Sequence, residues 1–197
     1  MRALRGPYAA GIRTGLRLEY CTLGWNVVGT VVVVLAALAA RSIALAGFGL
    51  DSLIEIFASL VVVWQLTGRE GLERRAVRLI GFAFLALALY ILGQTAYALS
   101  ANVRPSPSAS GIAWLAATLV AMLLLAYGKG RTGRRLGNPV LVTESRVTLI
   151  DAILAGAVLT GLVLNAALGW WWADPLAGLV IVYYALREGI TAVRGGE

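Results

Sequence analysis

The chain has 197 residues, 59% of them hydrophobic and only 14% charged, with a net charge of +7. A soluble domain carries about 25% charged residues, and several apolar runs here reach the ~20 residues that a bilayer crossing needs, so an ordinary soluble domain is excluded. The alternating segments of about ten residues that mark a membrane barrel do not occur, and the fold expected is an all-α polytopic membrane protein. Histidine is absent and Cys21 is the single cysteine. No intramolecular disulfide can form, and the commonest transition-metal ligand and neutral-pH proton carrier is missing.

Six spans are predicted, at about 18–40, 42–66, 77–100, 111–128, 146–169 and 171–187. They divide the chain into a basic N-terminal segment (1–17), a six-helix transmembrane domain (18–189) and a short tail (190–197). The first span is too long for a signal-peptide core and Arg41 leads straight into the next, so it is expected to be retained. Cys21 reads as a small apolar residue of that helix.

The basic residues fix an orientation. Arg2, Arg5, Arg13 and Arg17 precede span 1, and Arg69, Arg74, Arg75 and Arg78 fall between spans 2 and 3. Lys129, Arg131, Arg134, Arg135 and Arg146 fall between spans 4 and 5, and Arg187 and Arg194 close the chain. Of the 17 Lys and Arg residues, Arg41 and Arg104 alone lie on the opposite side. The positive-inside rule then places both termini in the cytoplasm. The positive charge is thereby accounted for as topology and as attraction to anionic lipid heads, without nucleic acid. The membrane expected is the bacterial plasma (inner) membrane.

Residues 102–111 read as an outer Pro/Ser/Gly turn, and residues 128–139 as a mobile, basic, Gly-rich inner loop. Trp170, Trp171 and Trp172 mark the outer boundary, with Tyr183 and Tyr184 towards the inner one. Asp174 before Pro175 reads as the N-cap of span 6.

Against this apolar background the polar groups stand out. Asp51 and Glu55 lie inside residues 42–66 (SIALAGFGLDSLIEIFASLVVVWQL). Each charge there costs roughly 2.5–3.5 kcal/mol even on the mildest insertion scale. At i and i+4 they share a helix face and can jointly hold a cation. Asp151 lies five or six residues into span 5, ~8–9 Å deep at ~1.5 Å per residue. Glu55 lies ~10 Å from the same face of a ~30 Å core, so Asp151 is the third expected ligand. Asn26, Thr148 and Glu144 are auxiliary candidates; Thr148 can also cap local backbone, and Glu144 can be a solvated loop acid. Asn26, Gln94 and Thr95 can hydrogen-bond across helices. Glu19 reads as solvated or paired with Arg17. Gly47, Gly49, Ala152, Ala155, Gly156 and Ala157 are small enough to let helices approach closely.

Residues 42–60 (SIALAGFGLDSLIEIFASL) resemble the second helix of the cation diffusion facilitators, a family of cation efflux transporters. Residues 172–189 (WADPLAGLVIVYYALREG) resemble their sixth, and the six-span layout with both termini inside is similar too. The resemblance covers nearly the whole chain as a transmembrane domain. It implies a tetrahedral divalent-metal site built by two ligands on helix 2 and two on helix 5, with metal leaving the cytoplasm in exchange for protons. Asp51 and Glu55 match the helix 2 pair, with Glu in the usual Asp place, and Asp151 matches the second helix 5 ligand. The first helix 5 position is Val147, which coordinates nothing. The family's cytoplasmic C-terminal domain, which often binds metal and supports a homodimer, is expected to be lacking.

The function expected is divalent cation efflux by metal/proton antiport, with the cation as cargo, no resident cofactor and no enzymatic activity. Three carboxylates favour Mn²⁺ or Mg²⁺, and Fe²⁺ and Zn²⁺ are compatible. The alternative is a non-transporting membrane protein of the same fold that regulates or scaffolds a partner. A dyad of Asp51 and Asp151 acting as an intramembrane protease is the enzymatic alternative, but the residues before Asp51 lack the flanking pattern of such proteases.

Overall fold

A computed structural model describes residues 7–66 and 73–194. They form α1 (Pro7–Ala40), α2 (Ile43–Leu66), α3 (Glu73–Ser100), α4 (Ala109–Leu136), α5 (Pro139–Leu168) and α6 (Ala173–Arg194), with no strand among the described residues. Residues 1–6, 67–72 and 195–197, which include Arg2, Arg5 and Arg69 of the expected basic segments, lie outside the described residues.

Among the described residues, α1, α3, α4, α5 and α6 are long and apolar enough to cross a bilayer. Large apolar side chains are turned outward, with Leu38 73%, Leu89 69% and Leu124 67% exposed. Apolar surface that wide on three helices is costly in water and suits hydrocarbon. This is the build of an integral membrane protein.

Chain reversals follow from local geometry. Arg41 takes a left-handed φ of 53°, and the Ser42 amide donates to Ala37 O at 3.2 Å, which ends α1. Asn102 repeats this after α3, with φ 53° and Val103 N donating to Ala98 O at 2.9 Å. Gly137 and Gly169 take left-handed φ values of 61° and 68° after α4 and α5. Ser108 and Asn138 cap the starts of α4 and α5, accepting from Gly111 N at 3.1 Å and Leu141 N at 3.2 Å.

In the bundle α4 packs on α5, α3 on α6 and α1 on α2, and α2 also touches α3, α5 and α6. At the α3–α6 crossing a Cβ on Gly81 or on Gly189 would sit 3.0 Å from the carbonyl oxygen of the other, so the glycines set the approach. Of the small residues expected to serve packing, Ala152 and Ala155 are fully buried. A Cβ on Gly47 would meet Ile91 at 2.7 Å, whereas one on Gly156 would meet Leu119 only at 3.7 Å. The apolar core joins Val33, Leu45, Phe48, Ile91, Leu115, Val158, Leu162 and Ile181. It fills the half of the bundle nearer the α1–α2 turn, and the buried acids begin where it ends.

Two expectations are corrected here. The segment 128–139 is not a loop: α4 stays helical to Leu136 and α5 starts at Pro139. Its glycines seat α4 against α5, since a Cβ on Gly133 would lie 2.9 Å from Val142 N. Asp174 is not the N-cap of its own helix; it is the second residue of α6 and fully buried. Its Oδ1 accepts from Ile43 N at 3.1 Å and Ala44 N at 3.4 Å, and its Oδ2 accepts from Ser42 Oγ. Ser42 Oγ in turn accepts from Leu45 N at 3.0 Å. The first three amides of α2 are thus satisfied, two of them by α6, because helix starts leave such amides without intrahelical acceptors. This fastens the start of α2, and therefore the register of its acid pair, to α6.

Candidate metal centre

One carboxylate oxygen from each of Asp51, Glu55 and Asp151 lies within 4.8 Å of the other two. All three residues are buried, at 3%, 7% and 0% exposure. One turn of α2 supplies the first two, and α5 delivers the third. The depth match inferred from residue counting is thus realised in space.

The hydrogen bonding is uneven. Asn26 Nδ2 on α1 donates to Glu55 Oε2 at 2.9 Å, so Asn26 joins the site as a positioning group that holds one ligand oxygen. Among the described residues, no donor reaches Asp51 Oδ2 or either oxygen of Asp151. A buried carboxylate without donors or a counter-charge is strongly unfavourable, and three converging ones repel each other as well. Such a group is relieved by a proton shared with a neighbouring acid or by a cation, and three hard oxygen donors can hold a divalent one.

A narrow cavity of about 20 Å³ touches Asp51 and Glu55 and is walled by Phe84, Val147, Ile150, Leu154, Tyr184, Ala185 and Glu188. That is room for roughly one water. Val147 is therefore beside the acids, where a fourth ligand was sought, and it presents only methyl groups. Glu188 was not anticipated. The sequence reading ended span 6 at residue 187, just before Glu188, whereas α6 runs on to Arg194. Carrying the inward pattern of Ile181, Tyr184 and Ala185 one turn further, at the i, i+3, i+4, i+7 spacing of a helix face, finds it.

Thr148 and Glu144 go elsewhere. Lys129 on α4 is fully buried, and its Nζ donates to Glu19 Oε2 at 2.9 Å and to Thr148 Oγ1 at 3.0 Å. Glu144 Oε1 lies 3.5 Å from the same Nζ. Thr148 Oγ1 also donates to Glu144 O at 3.0 Å, the backbone-capping role weighed for it. Glu19 is fully buried and paired with Lys129, so neither solvation nor Arg17 accounts for it, and Glu144, at 7% exposure, is not a solvated loop acid. Lys129, counted above among loop cations, is a buried residue of α4 held by Glu19 of α1 and by Glu144 and Thr148 of α5.

The remaining polar expectations fall at the opposite end of the bundle or between helices. Thr95 Oγ1 donates to Pro175 O at 3.3 Å, linking α3 to α6. Asn165 Nδ2 donates to Pro105 O at 2.9 Å, and Ser106 N donates to Ala40 O at 2.8 Å. Trp170 stacks on Trp172, and Arg104 lies 5.9 Å from the Trp171 ring centre. The α1–α2, α3–α4 and α5–α6 connections are thereby joined at one end. Cys21 is exposed on α1.

No protein-family model matches the chain. It is 26% identical over 166 residues to a curated protein of Synechocystis sp. described as an uncharacterized transporter. The match covers 78% of this chain and 53% of that protein, so the chain spans about half the length of the relative it resembles.

Proposed function

We propose that this chain is a secondary transporter of divalent metal cations, working as a cation diffusion facilitator does. The observation that carries the reading is the convergence of Asp51, Glu55 and Asp151 within 4.8 Å, buried and short of donors. The similarity to a protein described as a transporter supports it. In this reading α2 is a sixth span beside the other five, and the ends of the chain and the α4–α5 turn face the cytoplasm, where the arginines gather.

The cation comes from the cytoplasm and is bound by one oxygen from each of the three acids, with Asn26 steadying Glu55. Carboxylates must be deprotonated to bind metal, so binding releases protons and acidification releases metal. That linkage makes exchange of metal against protons the natural coupling. α2 is the moving part suited to alternating access, because it touches α1, α3, α5 and α6 at once. The all-oxygen donor set favours Mn²⁺ or Mg²⁺ over Zn²⁺. The test is metal flux into proteoliposomes with an imposed pH gradient: Asp51→Ala and Asp151→Ala should each abolish it, and unchanged rates would sink the reading.

Val147 in the cavity wall favours a second reading, a metal-binding protein that no longer transports and instead regulates or scaffolds a partner. Saturable Mn²⁺ binding without flux would select it.

A further inference from the structure

The second buried cluster has the form of a cation site that already holds a cation. Glu19 from α1 and Glu144 and Thr148 from α5 place three oxygens around one point, at 2.9, 3.5 and 3.0 Å from Lys129 Nζ. All four residues are buried; Lys129 and Glu19 have no exposed surface. An ammonium offers three donors and no acceptor; here two of them meet Glu19 and Thr148 in hydrogen bonds, and Glu144 adds an ion-pair contact. The set is not saturated, because Glu19 Oε1 accepts no hydrogen bond among the described residues. Two carboxylates and a hydroxyl thus surround a single ammonium. Thr148 stands one helical turn before Asp151 on α5, so the two clusters are neighbours on the same helix.

We infer that Glu19, Glu144 and Thr148 form a second divalent-cation site whose occupant is Lys129, a cation tethered to α4. By filling this cage the lysine denies it to free cations and confines metal to the three-acid centre. That confinement rests on the function proposed above; the cage itself does not. The donors are hard oxygens, as in the three-acid centre, so the cations the cage would take are of the Mn²⁺ and Mg²⁺ class. Shortening the lysine to alanine removes the ammonium and leaves room for a hydrated ion.

The experiment counts Mn²⁺ bound per chain, by titration followed with electron paramagnetic resonance, on the purified 197-residue chain in nanodiscs. Lys129→Ala should bind one Mn²⁺ more than the native chain. Lys129→Ala/Glu19→Gln should lose that extra ion, and Lys129→Arg, which keeps the charge in the cage, should not gain it. Lys129→Ala/Asp151→Asn separates the two proposals: it keeps the extra ion whether or not the three-acid centre binds metal in the native protein. A folded Lys129→Ala chain with no additional ion would overturn the inference. Should that variant fold poorly, Mn²⁺ should restore its helicity and monodispersity, and the Glu19→Gln double variant should not respond. Failure of Mn²⁺ to rescue it counts against the cage.

Discussion

The two buried polar clusters use the same oxygen chemistry and end in opposite conditions. At Glu19, Lys129, Glu144 and Thr148 a side chain supplies the cation, at 2.9–3.5 Å from its three partners. At Asp51, Glu55 and Asp151 the amide of Asn26 reaches Glu55, and three of the carboxylate oxygens have no donor among the described residues. The first cluster is closed by the chain's own ammonium; the second has none within hydrogen-bonding reach among the described residues, and in the function proposed above a cation takes that place.

The comparison breaks most visibly at Lys129. Lys129→Met leaves two buried acids without their cation and should cost about 3–5 kcal/mol of stability, read by denaturant unfolding in detergent; a neutral result would mean that the pairing carries little weight. At the other cluster the largest change expected is a gain. Val147→Asp puts a fourth oxygen into the cavity wall and should tighten Mn²⁺ binding about tenfold, equivalent to ~1.4 kcal/mol, by calorimetric titration. Removing a ligand acts on stability with the opposite sign to removing Lys129. Asp151→Asn relieves repulsion in the metal-free protein and should raise its stability by about 1 kcal/mol, or at least not lower it. The smallest effect is at Asn26. Asn26→Ala takes one hydrogen bond from Glu55 and should cost about 0.5–1.5 kcal/mol and weaken Mn²⁺ binding a few-fold.

Asp51, Glu55 and Asp151 were legible in the sequence because acids inside apolar runs are rare, and helical rise converts position into depth. The Lys129 cluster was not. Gly128, Gly130, Gly133 and Gly137 among arginines read as a loop, since glycine breaks helices in water. Between packed membrane helices it lets backbones meet instead, and three of those four glycines lie inside α4. Once 128–136 is helix, Lys129 has a fixed direction and its partners follow. Asp174 shows another limit. The Asp-Pro pair marks the start of α6 correctly, but nothing local reveals that the carboxylate reaches the start of α2 across 131 positions. Glu188 was missed because span 6 was ended at 187, where the apolar run gives way to Arg187 and Glu188, whereas α6 continues to Arg194.

The central proposal is that the three acids hold a divalent cation, and equilibrium Mn²⁺ binding to the purified chain tests it most directly. The account predicts one saturable site in the native protein, weakened about 100-fold or more by Asp51→Asn and by Asp151→Asn, beyond the 10–100-fold usual for loss of an outer-shell partner. Binding that is absent from the native chain, or indifferent to both substitutions, would contradict it.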